Sequence, residues 1–289
     1  MSHRTSRIGG LRVADHDRAV AGMTYVYPVV SRRAGGVSIG VNLNPNDACN
    51  WRCVYCQVPG LVRGKGPHID LGRLAAELDE MLDDVVRGDF MTRAVPEGAR
   101  RLEDVAFSGN GEPTTSPDFP AALEVVATTL ARLGLAGTVA IRLITNGSKV
   151  ERPEVRRALE RLGELGGEVW FKLDRATAEG SLRVNDQRVS PERHLGKLRV
   201  AAAACRTWVQ SCWFRWGGEA PSAAEEDAFV GALSALVAEG VPLGGVHLYT
   251  LARPSHQPEA PELAPLDRAW LERLAARLEA AGLRVKVSV

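Results

Sequence analysis

Short apolar runs alternate with longer amphipathic segments along the 289 residues of the chain. The apolar runs are rich in valine, isoleucine and aromatic residues, as is typical of buried parallel strands. We predict strands in residues 37–43, 103–109, 138–146, 168–174, 206–214 and 244–250, with a last run, RVKVSV, near the end. The segments between them predict helices in residues 71–87, 119–133, 153–165, 191–203, 223–239 and 266–281.

The helix predictions rest on the spacing of apolar residues and on capping signals. Between residues 71 and 87, leucine, methionine and valine recur every three or four positions, which forms one apolar stripe on a helix. Gly134 is a typical helix-ending residue, and Ser222 with Glu225 forms a capping-box pattern. These signals predict a helix after each of the six strands.

Six β–α units in series favour parallel strands joined by right-handed crossovers. The predicted fold class is therefore α/β, a single-domain (β/α)6 partial TIM barrel, and an open doubly wound sheet is the alternative. Residues 1–36 are predicted as a short N-terminal extension that contains an extra strand or arm, and residues 37–289 as the barrel domain. In parallel α/β folds, functional groups gather on loops at the carboxyl ends of the strands.

The composition allows a sizeable core, because 45% of the residues are hydrophobic and 25% are charged. The sequence has no run of eighteen apolar residues and no secretory signal, so we expect a cytoplasmic protein that does not contact a membrane. The net charge of +1 gives no support for a nucleic-acid partner. Four basic pairings are interpreted as solvated surface: Arg32–Arg33, Arg63–Lys65, Arg100–Arg101 and Arg156–Arg157.

Three of the five cysteines lie within eight residues, in the segment NPNDACNWRCVYCQVPG. Cys49, Cys53 and Cys56 have the spacing C-x3-C-x2-C, and clustered thiols in a reducing compartment usually bind metal or do chemistry. Structural zinc normally needs four ligands, and this segment has no second cysteine pair. Three thiolates leave one metal position open, which suits a [4Fe–4S] cluster with one free iron. A structural zinc site and buried free cysteines are the alternatives.

The cysteine motif, with Tyr55 just before the last cysteine, resembles that of the radical S-adenosylmethionine superfamily. The resemblance implies that the amino and carboxylate groups of S-adenosylmethionine chelate the free iron of the cluster. It also implies that the reduced cluster cleaves S-adenosylmethionine to a 5′-deoxyadenosyl radical, which abstracts hydrogen from a substrate. By the same resemblance, Tyr55 contacts the adenine.

The second strand ends in FSGNGEPT and the third in LITNGS. In the superfamily, a Gly-Gly-Glu type motif at the second strand binds the amino group of S-adenosylmethionine, and this chain has an inserted variant of it. Hydroxyl and amide groups after the third strand suit ribose hydroxyls or the carboxylate. The candidate ligands are Gly109, Asn110, Gly111, Glu112, Thr145, Asn146 and Ser148. A glycine-rich turn and an Asn–Gly turn are the alternatives.

The fourth and fifth strands also carry polar candidates near their carboxyl ends. Lys172 and Asp174 share one side of the fourth strand, where Lys172 could hold a carboxylate or the substrate and Asp174 a ribose or the substrate. An exposed ion pair is the alternative. Gln210 and Cys212 share a face of the fifth strand, so Gln210 is a candidate ligand of S-adenosylmethionine or of the substrate. Cys212 is a candidate hydrogen-atom donor to a product radical, and Cys205 is expected to be structural.

The loop after the fifth strand and the end of the sixth are expected at the same mouth of the barrel. Arg215 and Glu219 lie on this loop, and His247, Tyr249 and Thr250 lie at the sixth strand. The segment TLARPSHQP, with its two prolines, is predicted to be an arm that covers the site.

The motifs SGNGEPT, LITNGS, FKLD and VHLYTLARP resemble the branch of the tRNA wyosine-base (4-demethylwyosine) synthases. Those enzymes carry further cysteines for a second iron–sulfur cluster. In this sequence no cysteine precedes Cys49, and the two later ones, Cys205 and Cys212, are too few to bind such a cluster. We therefore predict a one-cluster enzyme that takes electrons from an external donor of the flavodoxin or ferredoxin type. The substrate is left open between RNA, a peptide and a small metabolite. Wyosine-type tRNA modification, a non-catalytic metal-binding module and an electron carrier are the alternative functions.

Overall fold

The computed structural model describes residues 8–12, 18 and 20–289. Most of the first nineteen residues of the predicted extension therefore lie outside the described part. The strands in the described part are β1 Val26–Ser31, β2 Gly36–Val41, β3 Ala48–Cys49, β4 Val62–Arg63, β5 Leu102–Phe107, β6 Ala140–Thr145, β7 Glu168–Lys172, β8 Thr207–Cys212, β9 Phe214–Trp216, β10 Leu243–Tyr249, β11 Leu263–Pro265 and β12 Val285–Ser288.

The α-helices in the same residues lie mostly between consecutive strands of the main sheet. They are α1 Leu71–Arg87, α2 Phe90–Ala94, α3 Phe119–Arg132, α4 Pro153–Glu164, α5 Ala178–Asn185, α6 Pro191–Ala204, α7 Ala223–Ala238 and α8 Arg268–Ala280. Single 3₁₀ turns occupy Glu97–Ala99, Pro113–Thr115 and Ala260–Glu262. None of the helices in the described residues is both long and apolar enough to cross a membrane.

Eight strands form one sheet in the order β1-β2-β5-β6-β7-β8-β10-β12. Strand β1 is antiparallel to β2, and every other neighbouring pair in this sheet is parallel. From β2 onward the strands follow chain order, so right-handed crossovers place the helices on the same face and the sheet curls into a half-barrel. A doubly wound sheet would reverse its strand order in the middle. The predicted partial TIM barrel is therefore confirmed.

The two faces of the sheet differ in chemistry, because successive side chains of a strand point in opposite directions. The outward face packs against the helices and forms the main hydrophobic core, with Val105, Phe107, Leu143, Val169 and Phe171 among its buried residues. The inward face carries polar, charged and aromatic side chains that line a cavity. They include Asp104, Arg142, Trp170, Lys172 and Gln210.

Besides the short elements β3, β4, β11 and α2, which the sequence did not predict, the structure departs from the prediction in the fifth strand and in helix α5. The predicted strand 206–214 is interrupted at Trp213, whose ring turns outward and packs on Phe229 and Trp270, at centroid distances of 5.3 and 5.5 Å. Helix α5 is absent from the prediction because its eight residues hold too few apolar positions to show a period. Its start does carry a capping signal, since the Thr177 hydroxyl accepts a hydrogen bond from the Gly180 amide.

Candidate active site

A cavity of about 270 Å³ lies inside the half-barrel beneath the loop that carries the three cysteines. Most of the predicted site residues line it: Cys49, Cys53, Tyr55, Cys56, Gly109, Asn110, Gly111, Glu112, Thr145, Asn146, Lys172, Gln210 and Cys212. Asp174 and Ser148 do not, and neither do Arg215, Glu219 and His247. The carboxyl ends of five parallel strands thus converge with the cysteine loop, as parallel α/β folds lead one to expect.

The segment after β10 holds the cysteine loop in place from its outer side. The Ser255 hydroxyl donates hydrogen bonds to the carbonyl oxygens of Val54 and Cys56, over 2.7 and 3.1 Å. The His256 amide donates to the same Cys56 carbonyl at 2.9 Å. The predicted arm TLARPSHQP therefore packs on the cysteine loop, and Leu251 and Ala252 of it also line the cavity.

Glycines let the SGNGEPT loop approach the cysteine loop closely. A Cβ atom on Gly111 would overlap the Ala48 carbonyl oxygen and the Asn44 side chain. Gly109 has φ of +129°, a conformation that residues with a Cβ rarely adopt. Between these glycines, the Asn110 side chain donates to Asp47 at 2.5 Å. Asn110 thus links the SGNGEPT loop, whose residues 109–111 form the glycine loop, to the start of the cysteine loop.

Two of the three thiols of the cysteine loop, those of Cys49 and Cys53, lie in surroundings that disfavour a thiolate. Burial raises the pKa of Cys49 to about 11 and that of Cys53 to about 12, so both thiols stay protonated unless a cation offsets the cost of a buried thiolate. In the described residues, no group of three His, Cys, Asp or Glu side chains is placed to hold a single metal ion. Cys49, Cys53 and Cys56 all line the cavity.

Cys53 belongs to a buried hydrogen-bond network that centres on Asp174. The side-chain amide of Asn185 donates to the Cys53 sulfur at 3.2 Å and to the Asp174 carboxylate at 2.7 Å. The Tyr55 hydroxyl donates to Asp174 at 2.5 Å and accepts from the Lys172 ammonium at 2.8 Å. The backbone amide of Cys212 occupies the other oxygen of the Asp174 carboxylate, at 2.8 Å.

This network bears on the roles that the sequence predicts for Asp174 and Tyr55. Asp174 is 1% exposed and both of its oxygens are engaged, so the geometry supports an orienting role rather than contact with a ribose. The Tyr55 hydroxyl is engaged as well, which leaves its ring to face the cavity. Asn185 is the last residue of α5, and no sequence signal marks it as a neighbour of Cys53.

Glu112 connects the SGNGEPT loop to the LITNGS loop. Its carboxylate accepts hydrogen bonds from the Thr114 and Thr145 hydroxyls, at 2.5 and 2.6 Å, and from the backbone amide of Asn146 at 2.6 Å. Burial raises the pKa of Glu112, and these hydrogen bonds oppose the shift by stabilising the carboxylate. The side chain is 2% exposed, so the structure shows Glu112 as a fixed link between two loops that border the cavity.

Asn50 links the cysteine loop to the LITNGS loop. Its side chain donates to the Ser148 hydroxyl at 2.7 Å and accepts from the Asn146 side chain at 2.9 Å. Ser148 is therefore a support of the cysteine loop, and its side chain lies away from the cavity.

The interpretation of Arg32–Arg33 as solvated surface is wrong. Both residues are half-buried and line the cavity, and the Arg33 guanidinium lies 5.6 Å from the Trp170 ring and 4.8 Å from the Tyr249 ring. Burial lowers the pKa of Arg32, and the neighbouring charge of Arg33 lowers it further. Neither Trp170 nor the two arginines stood out as site residues in the sequence, because nothing local shows that the turn after β1 reaches into the barrel.

His247 does not lie at the mouth, contrary to expectation. Its ring lies between Trp170 and Trp208, at centroid distances of 4.5 and 4.8 Å, in the middle of the inward face. Burial lowers the pKa of His247 to about 3, so the ring is neutral at pH 7. Cys205, at the other end of β8, is buried and donates to the Gly167 carbonyl at 3.4 Å, away from the cavity.

His194 makes the stability of the fold sensitive to acid. Its ring hydrogen-bonds to the Lys172 carbonyl at 2.9 Å, and burial lowers its pKa to about 4 from an unfolded value near 6.5. Between these values the unfolded chain binds a proton that the folded chain excludes, so the free energy of unfolding falls as the pH falls. We expect His194 to contribute a loss of about 2 kcal/mol between pH 7 and pH 5.

Urea unfolding of the wild-type protein and of His194→Gln at both pH values measures this contribution. Glutamine can still donate to the Lys172 carbonyl but does not titrate, so the variant should lose less stability on acidification. Equal losses in the two proteins would show that His194 is not the acid-sensitive group.

Residues 43–212 match the family model described as the radical SAM superfamily. The chain belongs to the radical SAM superfamily. Membership implies an enzyme with a [4Fe–4S] cluster and S-adenosylmethionine as cofactors, and it leaves the reaction class open. No step in the chemistry of this particular chain follows from membership alone.

Two solved radical SAM structures show the same fold. A radical SAM methyltransferase from Sphaerobacter thermophilus superposes with a TM-score of 0.57 at 16% identity, over 88% of this chain and 66% of that chain. TYW1 with a lysine–pyruvate adduct bound superposes with a TM-score of 0.51 at 16% identity, over 86% of this chain and 74% of that one. The chain thus spans just under two thirds of the methyltransferase, and these low identities establish a shared fold only.

A curated protein also matches part of the sequence. Over 136 residues the chain is 28% identical to the GTPase Obg of Brachyspira hyodysenteriae, which is 46% of this chain and 17% of that protein. The chain thus spans about a sixth of the length of that relative, and the match carries no assignment of activity.

Proposed function

We propose that Cys49, Cys53 and Cys56 bind a [4Fe–4S] cluster and that the chain is a one-cluster radical S-adenosylmethionine enzyme. The observation that carries this proposal is the position of three thiols around one cavity, which also contains the glycine loop and the ends of the barrel strands. When bound, the cluster supplies the electron that cleaves S-adenosylmethionine to a 5′-deoxyadenosyl radical, which abstracts hydrogen from the substrate. The remaining roles belong to the residues of this chain.

The binding of S-adenosylmethionine is assigned to groups around the cysteine loop. The Lys172 ammonium lines the cavity next to Tyr55 and is the candidate partner of the carboxylate. Carbonyl groups of the glycine loop, residues 109–111, are candidate acceptors for the amino group. Thr145 and Asn146 line the same region as candidate partners of the ribose, and Glu112 holds both of them in place.

The part of the cavity on the β8 side of Lys172 is left for the substrate. Gln210 and Cys212 line it from β8, so Gln210 is a candidate substrate ligand and Cys212 a candidate hydrogen-atom donor. The clustered thiols would need a reducing compartment to stay available for the cluster, so the cytoplasm is the proposed location. An external flavodoxin- or ferredoxin-type protein is the proposed electron donor.

Wyosine-type tRNA base modification is the second candidate function. The four motifs shared with that branch favour it, and the shared fold with TYW1 is consistent with it. The cysteines argue against it, since Cys205 and Cys212 are the remaining two of the five cysteines and are too few to hold a second cluster. The one-cluster reaction is therefore the function that the geometry supports best.

Anaerobic reconstitution with iron and sulfide tests the proposal. We expect about four irons per chain, an electron paramagnetic resonance signal after reduction with dithionite, and a change in that signal when S-adenosylmethionine binds. We also expect 5′-deoxyadenosine in the reduced mixture. A colourless protein that contains zinc, with neither spectral change nor 5′-deoxyadenosine, would favour the metal-binding module instead.

A further inference from the structure

Arg32 and Arg33 extend across the interior of the half-barrel from the turn between β1 and β2. This turn lies at the amino-terminal end of β2, whereas the cysteine loop follows its carboxyl end. Arg33 nevertheless contacts Trp170 on β7 and Tyr249 on β10, which are three and five strands away from β2 in the sheet. The two guanidinium groups therefore form part of the inner wall of the cavity.

Neither arginine has a carboxylate partner among the residues that the structure describes. Two carboxylates line the cavity, and both are engaged elsewhere. Asp104 accepts hydrogen bonds from Ser38 and Arg142, and Glu112 is held by threonine hydroxyls and the Asn146 amide. Burying a cation without an acidic partner is unfavourable in free energy. We therefore expect an anion from outside the chain to neutralise the two arginines.

The excess of positive charge extends over the whole cavity wall. Among the described residues, the cationic side chains of Arg18, Arg32, Arg33, Arg142 and Lys172 line it, and of these Arg142 is paired with Asp104. The carboxylate of S-adenosylmethionine accounts for only one anionic group, and Lys172, beside the cysteine loop, is its assigned partner. No anionic group assigned so far offsets the positive charge of Arg32 and Arg33.

Two buried polar atoms on side chains that line the same cavity also lack a partner among the described residues. The indole Nε1 of Trp170 and the side-chain oxygen of Gln210 make no hydrogen bond within the described residues. Trp170 is 3% exposed and Gln210 is 1% exposed, and both side chains line the cavity. Leaving such atoms unsatisfied is unfavourable. A ligand with an anionic acceptor near Trp170 and a hydroxyl or amino donor near Gln210 would satisfy both.

We propose that Arg32, Arg33 and the Trp170 indole form an anion subsite that binds a carboxylate or phosphate group of the substrate. This inference rests on the proposed function, because it assigns the substrate class of the same cavity. Arg32 and Arg33 supply the positive charge and hydrogen-bond donors, and Trp170 supplies a further donor from β7. The substrate is then a small anionic molecule whose reacting carbon lies between the anion subsite and the cysteine loop.

Anion titrations of the reconstituted, unreduced protein test the subsite. With S-adenosylmethionine present at saturation and at constant ionic strength, isothermal titration calorimetry is carried out with inorganic phosphate and, separately, with malonate. We expect one of these anions to bind saturably, and the preferred one identifies phosphate or carboxylate as the substrate group. Arg33→Gln should weaken this binding at least tenfold, and Trp170→Phe, which keeps the ring but removes the donor, should weaken it several-fold.

Arg157→Gln is the matched control, because Arg157 is exposed on α4 and far from the cavity lining. Its anion affinity should equal that of the wild type, and Arg32→Gln serves in place of Arg33→Gln if the latter does not fold. The absence of saturable binding, or equal affinities in all variants, would overturn the subsite.

Equilibrium dialysis of S-adenosylmethionine with the same variants separates this inference from the proposed function. The affinity of Arg33→Gln for S-adenosylmethionine should stay within twofold of the wild type. A tenfold loss would mean that the arginine pair serves S-adenosylmethionine itself, which refutes the subsite and leaves the proposed function standing. A protein that assembles no cluster would instead refute the proposed function, whatever the anion titrations show.

Discussion

Replacement of Cys53 by alanine is expected to abolish cluster binding and all formation of 5′-deoxyadenosine. Two remaining thiols cannot hold a cluster that uses three protein ligands, and the substitution also removes the sulfur that Asn185 contacts. We expect iron to fall from about four atoms per chain to well under one after reconstitution and desalting. Iron analysis, the visible absorption spectrum and a 5′-deoxyadenosine assay measure the effect.

Two further cysteine variants serve as controls for Cys53→Ala. Cys205→Ala removes a buried thiol far from the cavity, so its iron content should match that of the wild type. Cys212→Ala removes a thiol that lines the cavity but is not an assigned ligand, and it should also keep the cluster. Loss of iron in Cys212→Ala would identify a fourth cysteine ligand and would favour the electron-carrier alternative. A brown and active Cys53→Ala protein would refute the cluster assignment.

Glu112→Ala is expected to leave the cluster in place and to weaken the binding of S-adenosylmethionine about 100-fold. The substitution removes the acceptor of four hydroxyl and backbone amide donors, two of which, on Thr145 and Asn146, belong to the loop that borders the cavity. Buried donors left without a partner cost about 1–3 kcal/mol each, so we expect the loop to rearrange. Equilibrium dialysis with labelled S-adenosylmethionine and iron analysis of the same sample measure both properties.

Thr114→Val decides whether Glu112 acts through the loops or touches S-adenosylmethionine directly. The Thr114 hydroxyl donates to Glu112 at 2.5 Å but does not line the cavity. If Glu112 acts through this network, Thr114→Val should weaken S-adenosylmethionine binding about fivefold, in line with the loss of about 1 kcal/mol. Unchanged affinity in Thr114→Val, with a large loss in Glu112→Ala, would point to direct contact. Unchanged affinity in both variants would refute the assigned role of the loop.

Much of the architecture could be predicted because its signals are local. A short run of apolar or alternating residues predicts a strand, and apolar residues spaced three and four positions apart predict a helix. Neither prediction depends on the rest of the chain. Five of the six predicted barrel strands occur as single strands, and only the fifth is interrupted at Trp213. Helix α5 escaped prediction because eight residues with few apolar side chains show no period.

The sequence indicated where the candidate site lies, but it did not indicate the role of each residue in that site. Most of the residues that the strand ends and the cysteine spacing indicated do line the cavity, because carboxyl ends of parallel strands must meet, but other lining residues such as Arg32, Arg33 and Trp170 were not indicated. Which partner each side chain takes depends on residues far away in the chain. Asn185 and Cys53 are 132 residues apart, and their contact exists only because α5 packs under the cysteine loop.

The sequence by itself determined the fold class, the three clustered thiols and the family resemblance, since all of these reside in short contiguous patterns. The tertiary structure decided which polar groups are engaged and which remain open to a ligand. Asp174 and Glu112 are saturated by donors from several elements. Arg32 and Arg33, interpreted as surface from the sequence, line the cavity with no acidic partner in the part of the chain that the structure describes. Burial and pairing are properties of the whole packed chain, and no local pattern encodes them.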